Sequence, residues 1–160
     1  MQKQKIVTFL SYDNHQAEEA VQLYTSIFKN SKVNRVMRTT DAGPGPKGSV
    51  LTIEFELDGQ TFVAMNGGPS FKFTDGISLS VDCQSQAEVD ELWQKLSAGG
   101  GETRVCGWLR DKFGVSWQVV PSVLIDMMHD RDEAKAARVM TAMMHMTKID
   151  IAALKRAYEG

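Results

Sequence analysis

The chain repeats one order of predicted elements, and this repeat constrains the fold more than any other feature. The alternating segment "IVTFLSYD" predicts a strand, and the "NHQAEEAVQLYTSIF" that follows it has its apolar residues at helical spacing. About seventy residues later, "ISLSVD" and "SQAEVDELWQKL" repeat that order. The short segments "QAEEA" and "QAEVD" are also similar in sequence and lie at corresponding positions of the two helices. Such a duplication predicts two copies of one folded unit.

Each copy continues with further strands. In the first copy, "SVLTIEFELDGQTFVAMN" alternates apolar and polar residues and turns at Asp58-Gly59, which is typical of a β-hairpin. In the second copy, "TRVCGWLRD" and "VSWQVVP" flank "KFG" as the turn. Strand, helix and three strands, twice over, predict an α+β fold with two βαβββ units.

The same pattern sets the expected boundaries. The units are expected at about residues 5–67 and 75–121, and a helical tail at 122–160. Because 160 residues is an ordinary length for one domain, we expect residues 1–160 to form a single domain. Asp13 or Asn14 is the expected cap of the first helix, and Ser85 with Glu88 forms a predicted capping box for the second.

Composition excludes several classes of partner. The formal net charge is −2 and there is no run of Lys or Arg, so we expect no nucleic acid as a partner. The apolar stretches are shorter than the ~18 residues that span a membrane, so a cytoplasmic protein without membrane contact is predicted. Cys83 and Cys106 lack paired spacing and a nearby histidine, which favours reduced thiols over a disulfide or a nucleophile.

Three long segments carry a family resemblance. They are "GPGPKGSVLTIEFELDGQTFVAMNGGPSFKF", "VDCQSQAEVDELWQKLSAGG" and "CGWLRDKFGVSWQVVPSVL". Together with the duplicated unit, they resemble the PhnB-like branch of the vicinal oxygen chelate superfamily, which includes glyoxalase I, bleomycin-resistance proteins and extradiol dioxygenases. Members of this branch often carry the name demethylubiquinone 3-methyltransferase. The resemblance implies that each unit curls its sheet into a half-barrel.

The resemblance also implies where a divalent metal would bind. Catalytic relatives hold it with His, Glu or Gln from the first and last strands of each unit, the ligand of the last strand standing four residues after a glycine. The corresponding residues of this chain are Gln118 after Gly114, Val63 after Gly59, Val7 or Thr8, and Gly76 or Ser78.

We therefore predict no tightly bound metal and no other cofactor. The three histidines do not supply the missing imidazoles, since His15 lies at a helix start and His129 and His145 lie in the tail. A divalent metal held by Glu54 or Glu56 with Gln118 stays open as an alternative.

Methyl transfer is not expected despite the family name. The common fold that binds S-adenosylmethionine needs a glycine-rich turn between a strand and a helix. "DAGPGPKG" contains prolines and precedes a predicted strand, so it lacks that setting, although a loop of this kind often covers a site.

A small-molecule pocket on the concave sheet is the leading hypothesis. The expected lining is Met65, Asn66, Phe71, Trp108, Trp117 and Gln118, with Phe71 and Phe73 as a lid. These residues favour a small aromatic or apolar ligand. A metal-dependent enzyme of glyoxalase or dioxygenase type is the alternative, a purely structural interaction module is the third option, and whether any reaction is catalysed is left open.

The tail is rich in methionine. It holds six of the nine methionines, with Met140 and Met144 one helical turn apart and Asp150 placed to start a last helix. A methionine stripe adapts to irregular surfaces, so we expect it to pack against the sheet or a second subunit. With exposed strand edges, this predicts a homodimer.

Overall fold

The computed structural model describes residues 4–13 and 15–160, and the chain divides into two compact units, Met1–Phe73 (unit 1) and Thr74–Gly160 (unit 2). Unit 1 contains β1 Thr8–Tyr12, α1 Ala17–Ile27, β2 Lys32–Arg38, β3 Val50–Leu57 and β4 Gln60–Asn66. Unit 2 contains β5 Leu79–Cys83, α2 Gln86–Ser97, β6 Glu102–Thr103, β7 Trp108–Arg110, β8 Ser116–Pro121, α3 Ser122–Met128, α4 Glu133–Met144 and α5 Ile151–Glu159. The predicted α+β fold of two βαβββ units and a helical tail is confirmed.

The two sheets have the same topology and the same register. Their strand orders are β1-β4-β3-β2 and β5-β8-β7-β6, and the first and last strands of each unit run parallel side by side. Thr8 pairs with Phe62 in unit 1, as Leu79 pairs with Trp117 in unit 2. One residue before Thr8 and Leu79, Val7 is the counterpart of Ser78, and one residue after Phe62 and Trp117, Val63 is the counterpart of Gln118. The register itself pairs Val63 with Phe9 and Gln118 with Ser80.

One face of the unit 1 sheet forms a core with α1. Leu10 and Tyr12 of β1, Phe55 of β3 and Phe62 of β4 are buried there, and α1 covers them with Ala20 and Tyr24 among others. The expected alternation in β3 holds for Ile53, Phe55 and Leu57, but Val50 is buried and Leu51 only half-buried. A register shift between β2 and β3 lies at this end of the strand, where Met37 pairs with Thr52 and Arg38 with Val50.

The start of α1 differs from the prediction. The helix begins at Ala17, and Gln16 occupies the N-cap position without a side-chain hydrogen bond. Asp13 therefore is not the cap, and Asn14 lies outside the described residues. The cap comes from Asn66 of β4, whose Oδ1 accepts from the backbone N–H of Ala17.

The second helix is capped as expected. The backbone N–H of Glu88 donates to Ser85 Oγ at 3.2 Å, and the carboxylate of Glu88 accepts from the backbone N–H of Gln84 at 2.7 Å. Val89, Leu92 and Leu96 form the buried face of α2, as their spacing predicts. A tight turn with positive φ at Cys106 and Gly107 divides "TRVCGWLRD" into the short strands β6 and β7.

The tail has a core of its own. Its buried residues are Leu124, Val139, Ile149 and Leu154, and half-buried Val120 of β8 and several methionines pack against them. Asp150 accepts from the backbone N–H of Ala153, which confirms it as the cap of α5. Met140 and Met144 stay exposed. In the part of the chain that the structure describes, no helix is both long and apolar enough to cross a membrane.

Candidate functional site

The face of the unit 1 sheet opposite α1 is an open cup with a volume of about 1050 Å³. Its apolar lining residues are Val7, Phe9, Val36, Met37 and Val63. Its charged lining residues are Lys32, Arg35, Glu54 and Glu56. Uncharged polar side chains such as Asn34, Thr52 and Thr61 fill the space between them. The cup therefore combines apolar surface with paired charges.

Strand register orders these side chains into a row. Phe9 pairs with Val63, Val63 with Glu54, and Glu54 with Arg35, so the row crosses all four strands. Because side chains of directly paired residues share a face, the row lies along the cup. Phe9 is 57% exposed although it belongs to a strand, so the cup leaves a large apolar ring open to solvent.

The charges of the cup are matched in two ion pairs. Arg35 lies 3.1 Å from the carboxylate of Glu54, and Lys32 lies 3.5 Å from that of Glu56. Asn34 also donates to Glu56 at 2.9 Å. Glu54 and Glu56 were candidate ligands for a metal, and here they hold the cations of the neighbouring strand.

Asn66, a predicted ligand contact, caps α1 instead. Its Oδ1 accepts from the backbone N–H of Ala17 at 3.0 Å, and its Nδ2 donates to the carbonyl of Val50 at 3.0 Å and to Glu18 at 3.1 Å. These bonds occupy both ends of the amide. Asn66 therefore joins the helix to the sheet, and it is removed from the set of expected ligand contacts.

Met65 and Phe71 lie near the end of the cup face. Met65 pairs with Thr52, a lining residue of the cup, and so shares that face of the sheet. Phe71 is 44% exposed and its ring lies close to Gly67. Phe73 packs edge-on against Tyr12 with 5.2 Å between ring centroids. Phe71 thus stays a candidate for a lid, whereas Phe73 belongs to the packing of unit 1.

Trp117 is the second correction. It is only 2% exposed, and its indole N–H donates to the carboxylate of buried Asp111 at 2.8 Å. Asp111 also accepts from the backbone N–H groups of Phe113 and Val115. Trp117 therefore belongs to the core of unit 2. Adjacent strand residues point to opposite faces, so it does not share a surface with Gln118.

Gln118 has the hydrogen-bond partner that its position demands. Its Nε2 donates to Ser78 Oγ at 2.8 Å, which pairs the donor end of a half-buried amide. Trp108 pairs with Gln118 across the sheet and shares its face. Ser78, Gln118 and Trp108 thus form a polar-aromatic surface on unit 2. The predicted single pocket that joins them to Met65 and Phe71 stays a prediction.

The residues at the expected metal positions do not fit a divalent ion. The correspondence between the two units places Val7 and Val63 of unit 1, and Ser78 and Gln118 of unit 2, at these positions. Two valines offer no ligand atom, and a hydroxyl hydrogen-bonded to a carboxamide is a weak donor set beside imidazole and carboxylate. Among residues 4–13 and 15–160, no three His, Cys, Asp or Glu side chains come together as metal ligands.

The thiols and the remaining charged network also lie outside the cup. Burial raises the pKa of Cys83 to about 12, with Glu88 and Asp82 adding to the effect, so this thiol stays protonated at neutral pH. Cys83 and Cys106 are free cysteines, as predicted. In unit 2, hydrogen bonds from Arg104 and Arg110 hold the pKa of Asp75 far below its usual range.

The fold defines the class of protein. Two βαβββ units, each with a mixed four-stranded sheet, are the architecture of the vicinal oxygen chelate superfamily. FosX, a fosfomycin resistance protein of Listeria monocytogenes, shares this fold at 18% identity with a TM-score of 0.53; the match covers 79% of this chain and 97% of FosX.

Comparison with protein families narrows the class. The model of the 3-demethylubiquinone-9 3-methyltransferase family matches residues 4–120. A Bacillus cereus PhnB protein assigned the same methyltransferase name is 37% identical, with a TM-score of 0.67 over 74% of this chain and 100% of that protein. Protein PA1353 of Pseudomonas aeruginosa is 22% identical, with a TM-score of 0.61 over 74% of this chain and 98% of that protein. No curated protein matches.

This chain therefore belongs to the 3-demethylubiquinone-9 3-methyltransferase family, in its PhnB-like branch. The family match ends at residue 120, so the methionine-rich tail lies beyond it.

Proposed function

We propose that the chain binds a small aromatic or apolar molecule in the cup of unit 1, without a tightly held metal. The observation that carries this proposal is the exposed Phe9 ring beside Val63 on the face of the sheet that α1 does not cover. Apolar side chains left open in a concave surface favour a ligand of matching character. Of the other predicted contacts, we keep Met65 and Phe71, and propose Trp108 and Gln118 as a second surface on unit 2.

The alternatives rest on weaker support. A metal-dependent reaction requires ligands that Val7, Val63, Ser78 and Gln118 do not supply. Methyl transfer is what the family name states, but the glycine-rich loop joins two antiparallel strands, β2 and β3, and leads directly into the second. That setting differs from the strand–turn–helix cradle for S-adenosylmethionine. We therefore include neither reaction in the proposed function.

Titration calorimetry that measures the binding of neutral 2-naphthalenemethanol tests the proposal. Phe9→Ala removes aromatic contact area and is expected to weaken binding about tenfold, which corresponds to about 1.4 kcal/mol. Val63→Trp fills the floor and is expected to abolish it. Val105→Ala, which shortens an apolar residue of unit 2 that is 59% exposed, is the matched control and should leave binding unchanged. Unchanged affinity in both cup variants would refute the proposal.

The proposed assembly is a homodimer. Met140 and Met144 of α4 are 41% and 55% exposed, which leaves the apolar surface that the prediction requires. Light scattering at micromolar concentration tests it, and a monomeric mass contradicts it. If the tail contributes to the interface, replacing both methionines with glutamate weakens the dimer.

A further inference from the structure

The charges of the cup are balanced in number but not in position. The side chains of Glu54 and Glu56 are 30% and 20% exposed, whereas those of Arg35 and Lys32 are 73% and 56% exposed. The carboxylates stand on the inner strand β3, and the cations stand on the edge strand β2. A molecule on the floor of the cup therefore meets the carboxylates before it meets the cations.

The two ion pairs are easily exchanged. Both cations are mostly in water, and ion pairs of this kind contribute little to stability because solvent screens them. A cationic group of a ligand can take the place of Arg35 beside Glu54, leaving Arg35 free to be solvated. An anionic group on the floor would instead lie beside two carboxylates.

The register supplies the dimensions of the ligand. From Phe9 through Val63 to Glu54 there are two steps between neighbouring strands, or about 10 Å between the outer Cα atoms. An aromatic body lying on Phe9 and Val63 thus places a substituent one strand away at Glu54. The ring gains stacking and apolar contact, and the substituent gains a charge-assisted hydrogen bond.

From these positions we infer that the cup selects an organic cation with a compact aromatic body, such as an arylalkylamine, and that Glu54 is its charge-recognising residue. This inference rests on the proposed function of the cup and adds the chemical class of the ligand. It also assigns opposite roles to the two ends of one ion pair. Glu54 recognises the ligand, and Arg35 occupies its place until the ligand arrives.

Three probes of one shape test the inference by calorimetry at pH 7 and low salt. They are 2-naphthylmethylamine, neutral 2-naphthalenemethanol and anionic 2-naphthoate. We expect the amine to bind at least tenfold more tightly than the alcohol, and the carboxylate to bind more weakly than the alcohol. Raising the salt concentration should reduce the preference for the amine.

Variants locate the preference. Glu54→Gln keeps the shape of the side chain and is expected to bring the amine and alcohol affinities within about twofold, with the alcohol affinity unchanged. Arg35→Gln removes the competing cation and is expected to tighten amine binding about threefold. Glu91→Gln is the control, because Glu91 is an exposed carboxylate that pairs with Lys95 on α2, outside the cup. Thermal melts establish that each variant is folded.

The outcomes separate this inference from the proposed function. If the alcohol binds through Phe9 but the amine binds no more tightly, the cation class is wrong and the cup remains a ligand site. An amine preference that persists in Glu54→Gln overturns the inference, whichever other residue then proves to carry the preference. If none of the three probes binds the parent protein, both the inference and the proposed function fail.

Discussion

Unit 1 and unit 2 pair their strands in the same register but fill corresponding positions with different chemistry. Val7 and Val63 line an open cup in unit 1, whereas Ser78 and Gln118 hydrogen-bond to each other at the matching positions of unit 2. The register is thus kept although the side chains at these corresponding positions differ completely. Backbone pairing and a buried opposite face are enough to keep it.

The two crossover helices show the same contrast. In unit 2, the Ser85 box caps α2 with residues from its own sequence neighbourhood. In unit 1, Asn66 reaches α1 from a strand 49 residues away from Ala17. In both helices the cap accepts from backbone N–H groups of the first turn, which have no partner inside the helix. The capping residue can therefore come from a neighbouring or a distant part of the chain.

The cores differ in how they treat a large aromatic residue. Phe62 of unit 1 stacks against Phe55 with 5.6 Å between ring centroids and carries no polar atom. Trp117, its counterpart in unit 2, has an indole N–H that must be paired when buried. Asp111 provides that partner; the residue is only 3% exposed, and its carboxylate accepts from three donors at once.

The largest expected effect is at Asp111. Asp111→Ala leaves three buried N–H groups without their acceptor and is expected to lower the free energy of unfolding by about 3–5 kcal/mol. Asp58 lies in the exposed turn of unit 1 with φ at 47°, a left-handed conformation that aspartate tolerates better than alanine. Asp58→Ala is therefore expected to lower the free energy of unfolding by about 1 kcal/mol. Urea unfolding measures both.

If Asp111→Ala does not fold, a smaller change to the same hydrogen bond takes its place. Trp117→Phe removes one donor and keeps most of the ring, so a loss of about 1–2 kcal/mol is expected. If Asp111→Ala and Asp58→Ala lowered the free energy of unfolding equally, the hydrogen bonds of buried Asp111 would stabilise the protein no more than one residue of an exposed turn does.

The next effect concerns the caps. Asn66→Ala loses the acceptor for Ala17 and the bond to Val50, and is expected to cost about 2 kcal/mol, against about 1 kcal/mol for Ser85→Ala. The difference arises because Asn66 also ties the helix to β3. Urea unfolding followed by circular dichroism measures both variants, with Asn34→Ala on exposed β2 as a control that changes stability little. A Ser85→Ala loss as large as that of Asn66→Ala would contradict the assigned role of Asn66.

The smallest effect tests whether the metal positions keep a usable geometry. Gln118→Glu alone, and Gln118→Glu with Ser78→His, are expected to take up zinc, nickel or manganese where the parent does not. For the double variant, a Kd of about 100 μM with 1 mM metal corresponds to about 1.4 kcal/mol of added stability. Val63→Glu with Val7→His is the matched pair in unit 1. Thermal unfolding and calorimetry measure the uptake.

The parent protein decides the meaning of that experiment. Should it already bind one of these ions with a Kd below about 1 μM, and lose the ion in Gln118→Ala, then Gln118 is a metal ligand and the metal-free proposal fails.

Much of the fold could be predicted, and part of the site could not. The repeat, the Asp58-Gly59 turn, the Ser85 box and the Asp150 cap are local patterns, and the structure contains each of them. Strand alternation also separates Trp117 from Gln118, so placing both in one pocket conflicted with a rule already available from sequence. The exposure of Phe9 could not be predicted in this way, because Phe9 shares its strand face with Val7 and Ser11 while Leu10 and Tyr12 lie on the other face, so both faces carry apolar residues.

The sequence by itself determined the two units, their order and the residues that share each strand face. The strand faces follow from periodicities of a few residues, and the two units follow from the recurrence of one order of elements along the chain, both of which are readable without any tertiary contact. The tertiary structure alone decided that Asn66 caps a helix, that Trp117 is covered and that Phe9 is left open. Which face is buried depends on where a helix packs, and a partner 49 residues away leaves no local pattern in the sequence.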